Sequence, residues 1–523
     1  MQRAVVVGGG IGGLVAACQM ALDGFDVQLF EAAQHAGGKM ARREIAGQAV
    51  DTGPSVLTLP EVFEQLFARA GESLAHSVDL APLPELARHA WPGRAGEPPR
   101  LLDLYADVEQ SADAIGRAFG RQASQGYRAY AAYAEQLWHT AKDVFVFGQK
   151  PSMARALWAY GSRALRAARD MDGRRTMHEA LLSFFPRTPE LRQLFGRYAT
   201  YGGSSPFAAP ATLHLIAHVE RMGSFQVRGG LSALAKAVAA LGERLGVRMH
   251  FGTPVQRVRV RGGTACGVEL PDGQAVLADV VVLNTDATLS PDGELWGPAA
   301  AALAGARPAG LSARTASLVG QVDGLPLCAH TVLFGEADEG AEYRAVFDER
   351  RTPSAPNVYL CAPDRGPLGT PGAAGDGSER LFCLANAPPT DGGAADEDEP
   401  AWIDTLMAHL SGLGVRVRPT APPVVQRPST FERRFPRSHG ILYGPPARGW
   451  RDFFRRPGSQ TSIRRCLRTG GGVHPGPGVP MAAQSGLFAA AAALADFPST
   501  CHWPMAATHG GTSMPRARGS TPS

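Results

Sequence analysis

Short apolar runs separated by a glycine-rich turn open the chain. Residues 4–7 are a valine-rich run typical of a buried parallel strand, residues 14–23 have the apolar spacing of a helix ended by Gly24, and residues 26–31 predict a second strand. Strand, glycine turn, helix and strand in this order form the βαβ unit of a doubly wound sheet. The pattern therefore predicts an α/β fold that begins with a Rossmann-like nucleotide-binding motif.

The remaining chain shows several further periodic segments. Residues 60–220 have mostly helical spacing, whereas residues 363–400 are rich in Gly, Pro and Asp and predict exposed loop around one strand at 381–384. The tail after Phe497 is rich in Ser, Thr, Pro and Gly and is predicted to be disordered. Other helices are predicted at 231–246 and 482–495, and other strands at 248–251, 254–260, 266–270 and 278–284.

The first turn carries a phosphate-binding fingerprint. Residues 8–13 (GGGIGG) fit G-x-G-x-x-G at Gly8, Gly10 and Gly13, which suits a tight turn, close approach to a diphosphate and close packing of the helix on the strand. Glu31 ends the next strand, where a carboxylate accepts the ribose hydroxyls of an adenosine and disfavours the additional phosphate of NADP. The segment therefore predicts dinucleotide binding.

Two later segments decide between FAD and NAD. The paired glycines and cation of residues 37–40 (GGKM) predict a second phosphate-contacting loop with Lys39 near the diphosphate, and a solvated lysine in a turn is the alternative. Residues 470–481 form a glycine-rich loop before a long alanine-rich helix, whose N-terminus suits negative charge on a reduced flavin; a merely connecting loop is the alternative. An extended FAD needs both loops, so we expect FAD.

The composition limits the classes of protein to which the chain can belong. The length of 523 residues predicts two or three cores or one large split core, and 44% hydrophobic with 19% charged residues indicates a globular chain. The 52 basic residues are almost all arginines and the net charge is only +4, so no nucleic-acid partner is indicated. Seven scattered cysteines without a CxxC pair favour a reducing compartment, and no apolar run is long enough to span a bilayer. We therefore expect a cytoplasmic protein without a structural metal.

These motifs resemble those of the carotenoid desaturases of the FAD-dependent amine oxidase superfamily, over residues 3–495. The resemblance also rests on residues 51–55 (DTGPS), 229–231 (GGL) and especially 474–480 (HPGPGVP). Residues 86–92 (LARHAWP) and 194–211 resemble the 1-hydroxy- or 1-methoxyneurosporene dehydrogenase branch. That branch implies C3–C4 desaturation of acyclic 1-hydroxy- or 1-methoxycarotenoids on the way to spheroidene-type pigments, with FAD as cofactor and oxygen or a quinone as electron acceptor.

The resemblance also implies a set of cofactor contacts. The residues implied to contact the adenosine diphosphate are Gly8, Gly10, Gly12, Gly13, Glu31, Lys39 and Val255. The residues implied to contact the flavin ring and ribityl chain are Pro54, Ser55, Gly471, Gly478, Val479, Pro480 and Met481.

The same resemblance implies a split domain organisation. We expect a discontinuous FAD-binding domain with an inserted α+β substrate domain, a helical, membrane-facing subdomain and a disordered tail. The expected segments are 1–60, 222–290 and 460–496 for the FAD-binding domain, 61–110 and 291–459 for the substrate domain, 111–221 for the helical subdomain, and 497–523 for the tail.

Several candidate side chains stay open between two interpretations. His474, beside the flavin loop, is either a proton acceptor or a structural histidine. His214 and His218 have metal-binding spacing but no evident third ligand. Arg464 to Arg468 (RRCLR) place three arginines where relatives have an apolar strand, so the strand is frayed there or the prediction is at fault. The aromatic residues Phe195, Tyr198, Tyr201 and Phe207 line a polyene tunnel or belong to the core.

Residues 150–175 suit a membrane interface. They hold seven basic and two acidic residues, and as a helix they would separate an apolar face from arginines, with Trp158 on the flank. We expect peripheral association with the inner or photosynthetic membrane, and an ordinary surface helix is the alternative. The apolar face would hold Met153, Leu157, Tyr160, Ala164, Ala168 and Met171, opposite Arg155, Arg166 and Arg169.

Two other functions remain open. One is another oxidase of the superfamily that acts on phytoene, an amine or a porphyrinogen. The other is a non-catalytic lipid carrier on the same fold, like the prenyl-protein escort factors. Intact glycine motifs at both ends of the chain speak against the carrier, which has no need of flavin contacts.

Overall fold

The computed structural model of the chain describes residues 1–93, 96–152, 158, 160–286, 288–289, 295–296, 309–335, 338–371, 376–390 and 399–497. Three of the predicted segments fall partly outside these residues. They are the disordered tail beyond Phe497, the loop at 363–400 (residues 372–375 and 391–398), and the stretch 153–157 of the basic helix, which includes Met153, Arg155 and Leu157.

A five-stranded parallel sheet forms the base of the nucleotide-binding part. The first strand, Arg3–Val7, lies at its centre because its valines are buried from both sides. The strands come from three separated parts of the chain, which agrees with an α/β sheet assembled around insertions. In spatial order they are Cys466–Arg468, Val280–Leu283, Arg3–Val7, Asp26–Phe30 and Arg248–His250.

Alternate side chains of this sheet enter two different layers. On one face, Ala4 and Val6 share a core with the helices Ile11–Leu22, Leu231–Arg244 and Val479–Ala495. On the other face, the intervening valines pack on a three-stranded antiparallel sheet instead of on further helices. The predicted Rossmann-like α/β class is confirmed, and the three-stranded sheet covers the face that lacks helices. The strands of the cover are Arg257–Arg261, Thr264–Glu269 and Ala275–Leu277.

A second sheet, with eight strands in mixed orientation, lies outside the nucleotide-binding part. Residues 60–220 are mostly helical as predicted but also contribute two strands to this sheet, and the strand predicted at 381–384 extends over Glu379–Ala387. This strand is longer because it pairs on both sides within the sheet. The spatial order is Val415–Pro419, Ser312–Gly324, Glu379–Ala387, Val358–Cys361, His330–Leu333, Glu85–Trp91 and Arg100–Tyr105, with Val424–Gln426 also beside Ser312–Gly324.

A helical layer packs against this sheet around an aromatic-rich core. Tyr130, Phe185 and Phe195 are fully buried there. The helices of this layer are Val108–Phe119, Arg121–Ala141, Ala164–Asp170, Met177–Phe184, Pro189–Gly196 and Leu215–Met222. Among the described residues, the other α-helices of four or more residues outside the nucleotide-binding part are Glu61–Arg69, Glu399–Gly412, Pro428–Arg434 and Arg451–Arg455. The small strand pairs are Arg42–Ile45 with Gln48–Asp51 and Leu80–Pro82 with Phe225–Val227.

The arginine-rich segment before the last strand is accommodated at the edge of the five-stranded sheet. Arg464 and Arg465 are exposed and precede the strand, which begins only at Cys466. Arg468 is half-buried, and burial lowers the pKa of its guanidinium. The strand is therefore short, and the two leading arginines avoid the cost of burying charge.

Candidate functional site

A cavity of about 1420 Å³ runs past the carboxyl ends of the parallel strands. Val7, Phe30 and Leu283 end three neighbouring strands, and the residues that follow each of them lie in the cavity wall. In open α/β sheets this edge is where ligands bind. The cavity continues to the eight-stranded sheet and the helical layer, so one space joins the three parts of the fold.

The glycine turn of residues 8–13 forms one end of this wall. Gly8 has a φ of +100°, and a Cβ atom there would lie 2.5 Å from the Asn284 carbonyl oxygen. A Cβ atom at Gly13 would lie 2.1 Å from the Gly8 oxygen, so Gly13 permits the close packing of helix on strand and lies outside the wall. Gly10 and Gly12 line the cavity, and the helix N-terminus at Gly10 has no side-chain cap. Its free N–H groups suit an anion.

Glu31 lies at the end of the second strand, in the cavity wall. Its Oε2 accepts the Gly9 N–H at 2.6 Å and its Oε1 accepts the Ala33 N–H at 2.7 Å, which fixes the carboxylate beside the glycine turn. Val255 lines the cavity as well. Glu31 and Val255 thus line the same cavity as the glycine turn, and their contacts with the adenosine stay a prediction.

The loop with Lys39 packs directly on the glycine turn. Gly37 donates its N–H to the Gly9 oxygen at 2.8 Å. The Lys39 ammonium lies 3.0 Å from an Asp286 carboxylate oxygen and 5.3 Å from the centre of the Phe435 ring. Lys39 therefore lines the cavity as a paired cation, not as a free one.

Pro54 and Ser55 lie in the wall after a small hairpin that Asp51 anchors. The Asp51 carboxylate accepts from the Ser232 hydroxyl at 2.7 Å and from the Ser232 N–H at 3.2 Å, which ties the loop to a neighbouring helix. The Ser55 Oγ lies 2.6 Å from the Tyr359 hydroxyl, which in turn lies 2.6 Å from His330 Nδ1. A hydrogen-bonded chain thus runs from the loop into the eight-stranded sheet.

The C-terminal glycine loop closes the cavity from the opposite end of the chain. Gly471 lines it, and so does the start of the helix Val479–Ala495. This helix begins at Gly478 without a side-chain cap, so its N–H groups and its positive dipole end face the cavity. The lining residues from this helix start are Gly478, Val479, Pro480 and Met481.

The three histidine candidates, His214, His218 and His474, are not among the residues that line the cavity. His474 is buried outside the cavity wall, with Nε2 2.9 Å from the Gly148 oxygen and its ring stacked on Phe488. His214 is buried between Tyr130 and a backbone carbonyl, and burial lowers its pKa to about 4. In the described part of the chain, no three His, Cys, Asp or Glu side chains are grouped to hold a metal, so His214 and His218 have no third ligand there.

Of the four aromatic candidates, only Tyr201 lies in the cavity wall. Phe195 and Tyr198 belong to the aromatic core of the helical layer, and Phe207 is 42% exposed. Of the two interpretations of these aromatic residues, core packing therefore applies to Phe195 and Tyr198.

Sequence reasoning missed several wall residues. Asn284 and Asp286 follow the strand Val280–Leu283, and the only available signal was their position after a buried strand. Arg434 donates to the Gly38 oxygen at 3.2 Å, and burial lowers its pKa. Arg197 and Glu220 come from the helical layer, and no sequence spacing links either of them to the glycine motifs.

The fold and the cavity wall together indicate a protein that binds an extended dinucleotide. Two uncapped helix N-termini, a strand-end carboxylate and two glycine loops meet on one elongated cavity, as an extended dinucleotide requires. The Thr285 hydroxyl adds a polar group to this wall and has no hydrogen-bond partner among the described residues. The residues present therefore fit FAD.

Comparison with known proteins gives the family. The sequence profile described as flavin containing amine oxidoreductase matches residues 11–494. The chain is 40% identical over 506 residues to the hydroxyneurosporene desaturase of Rubrivivax gelatinosus, covering 95% of this chain and 94% of that protein. It is 36% identical over 503 residues to the hydroxyneurosporene desaturase of Cereibacter sphaeroides, covering 95% and 98%. A solved double mutant of putrescine oxidase has the same fold, with a TM-score of 0.59 at 14% identity, covering 94% and 99%.

The chain belongs to the flavin containing amine oxidoreductase family, and FAD is its cofactor. No helix among the described residues is both long and apolar enough to cross a bilayer.

Proposed function

We propose that the protein is an FAD-dependent carotenoid desaturase that introduces a C3–C4 double bond into acyclic 1-hydroxy- or 1-methoxycarotenoids during carotenoid biosynthesis. The near full-length identity to two hydroxyneurosporene desaturases carries this proposal. The cavity supports it, because a long apolar space continues from the nucleotide cleft and suits a polyene. The apolar side chains in this space include Leu215, Ile216, Val219, Val332, Phe382 and Leu384.

Bound FAD supplies the hydride acceptor that an unactivated carbon requires. The protein has to bind the polyene, align its reacting carbons with the ring and exclude water. The apolar cavity wall binds the polyene and excludes water. We propose that Pro54 and Ser55, with the loop at Gly471 and 478–481, hold the ring, and that Glu31 and the turn at residues 8–13 hold the adenosine diphosphate.

Anaerobic turnover in liposomes tests the function. The purified holoenzyme is mixed with neurosporene or 1-hydroxyneurosporene while flavin and carotenoid absorbance are recorded. We expect the flavin to bleach and the carotenoid band to move to longer wavelength with the hydroxylated substrate. A protein that remains colourless with added FAD, or that adds no double bond to either carotenoid, contradicts the proposal.

We also propose that the protein is cytoplasmic and binds the membrane surface peripherally, because its substrate dissolves in lipid. Trp158, in the predicted basic segment, is 85% exposed. A second patch lies at the cavity rim, where Arg451 lies over the Trp450 ring and Arg455 lines the cavity. Aromatic and basic side chains together favour an anionic lipid interface. The electron acceptor in this proposal is oxygen or a quinone.

A further inference from the structure

Arg197 places a cation in the part of the cavity wall that the helical layer supplies. It begins the short helix Arg197–Gly202, and its Nη1 donates to the Tyr201 hydroxyl oxygen at 3.0 Å. The guanidinium carbon lies 5.6 Å from the Tyr198 ring centre and 5.5 Å from the Tyr201 ring centre. The Nε of Arg197 is enclosed by the protein, whereas its Nη2 is not enclosed and has no hydrogen-bond partner among the described residues. The side chain therefore keeps a spare donor.

The charge of Arg197 is balanced only at a distance. Within the described residues, no carboxylate lies within 4.0 Å of it, and the Glu220 carboxylate instead accepts from the Tyr198 hydroxyl at 2.5 Å. Burial disfavours the charged form of Arg197, yet Tyr201, Glu220 and Tyr198 together raise its pKa on balance. The guanidinium thus stays protonated, with the N–H groups of Nη2 available to a ligand.

Arg197 also lies near the loop expected to contact the flavin. The Tyr201 side chain, which accepts from Arg197, and the Tyr359 side chain both pack against the aromatic-rich core of the helical layer. Burial raises the pKa of the Tyr359 hydroxyl well above its usual value, and the charge of Arg197 opposes this rise. Tyr359 is hydrogen-bonded to Ser55 at 2.6 Å. The spare donor of Arg197 and the flavin-facing loop therefore belong to one neighbourhood of the cavity.

The substrate chemistry requires a polar group in this neighbourhood. In a 1-hydroxy- or 1-methoxycarotenoid the oxygen is on C1, and the C3–C4 bond begins two carbon–carbon bonds away. A group that binds the oxygen must therefore lie beside the ring that accepts the hydride. A methoxy oxygen accepts hydrogen bonds but cannot donate one, so a protein donor such as an arginine N–H suits both kinds of end group.

We propose that Arg197, oriented by Tyr201, binds the oxygen of the substrate end group and so selects oxygenated over hydrocarbon carotenoids. The inference rests on the proposed function. A hydrocarbon end that displaces water from the cavity would leave the Arg197 Nη2 donors without a partner, which is the condition that lets a site reject an analogue lacking one polar group.

Substitution of Arg197 and Tyr201 tests the inference. Binding and turnover of 1-hydroxyneurosporene and neurosporene are measured for the wild-type holoenzyme and for Arg197→Met, Arg197→Lys and Tyr201→Phe. We expect Arg197→Met to lower the preference for the hydroxylated carotenoid about tenfold to hundredfold, as the loss of a charged hydrogen bond implies. Tyr201→Phe keeps the cation but loses its orienting hydroxyl, so we expect a smaller fall. We expect Arg197→Lys to restore part of the preference.

Arg100→Met is the matched control. The Arg100 guanidinium also lies over an aromatic ring, 5.3 Å from the Phe119 centre, but Arg100 is outside the cavity wall. An unchanged preference in Arg197→Met and Tyr201→Phe, or an equal loss for both carotenoids, overturns the inference. So does a wild-type enzyme that binds both equally. Failure of the wild type to oxidise either carotenoid instead contradicts the proposed function, and the binding preference still decides the role of Arg197.

Discussion

At the residue scale, Glu31 is the charged residue whose place in the cavity wall follows most directly from the sequence. It directly follows the second strand, and both of its carboxylate oxygens accept backbone N–H groups beside the glycine turn. A carboxylate held in this way can also accept the ribose hydroxyls of FAD.

We expect Glu31→Ala to weaken FAD binding about tenfold to hundredfold, because hydrogen bonds to a charged group contribute roughly 1.5–3 kcal/mol. The dissociation constant is measured by titrating the apoprotein with FAD and following flavin fluorescence. Glu44→Ala is the control, since the Glu44 side chain is 70% exposed and lies outside the cavity wall. Equal FAD affinity in wild type and Glu31→Ala would remove Glu31 from the proposed site.

How much of the site the sequence predicts depends on how its residues are linked along the chain. Gly8 and Glu31 belong to one βαβ unit, so their spacing alone predicts their proximity. Asp286 reaches Lys39 across 247 positions, and Arg197 enters the same wall from the helical layer. Such residues meet only through the packing of separate layers, which periodicity does not specify.

At the scale of elements, the packing of the first helix on the C-terminal helix holds the two ends of the chain together. Gly486 lies in the helix Val479–Ala495, and a Cβ atom there would lie 2.3 Å from the Gly12 oxygen and 3.0 Å from the Ala16 nitrogen. Both contacts are backbone atoms, so no side chain can move aside. The N-termini of both helices line the cavity, and their spacing depends on this contact.

We expect Gly486→Ala to destabilise the protein by about 1–3 kcal/mol, as overpacking of a rigid contact does, and to weaken FAD binding. Urea unfolding followed by circular dichroism measures the first effect, and FAD titration measures the second. Gly412→Ala is the matched control, because Gly412 is also helical and a Cβ atom there would meet nothing within 4 Å. Wild-type stability in Gly486→Ala would show that the helices separate without cost.

The elements also show where local patterns mislead. The valine run of residues 4–7 predicts its strand correctly because every residue is apolar. The last strand contains only three residues, Cys466–Arg468, and its sequence carries no apolar run. Its pairing with Val280–Leu283 defines it, so the strand is a product of tertiary contact and not of local propensity.

At the scale of the whole molecule, the parallel sheet takes its strands from the start, the middle and the end of the described chain. The rest of the fold is therefore inserted between these three segments. We propose the division given by the segments 1–60, 222–290 and 460–496 for the FAD-binding domain, with the substrate and helical parts inserted between them. This division places the cavity where all three parts meet. A lipid-soluble substrate must then enter from the surface at its rim.

The rim patch of Trp450, Arg451, Phe454 and Arg455 is a structural candidate for the membrane contact. The Trp450 and Phe454 ring centres are 6.0 Å apart, and Trp450 is 39% exposed. The Arg455 side chain is 75% exposed and lines the cavity. A bilayer bound here would therefore lie against the cavity entrance.

We expect Trp450→Ala and Arg451→Ala to lower binding to anionic vesicles, the latter about fivefold, because one basic side chain near such a surface contributes about 1 kcal/mol. Cosedimentation with phosphatidylglycerol vesicles at low and high salt measures this, and the effect of Arg451→Ala should shrink as salt screens the charge. Leu277→Ala and Arg228→Ala are controls, since both side chains are more than half exposed and lie outside the cavity wall. Equal losses in the rim variants and in these controls would place the membrane contact on another face of the molecule.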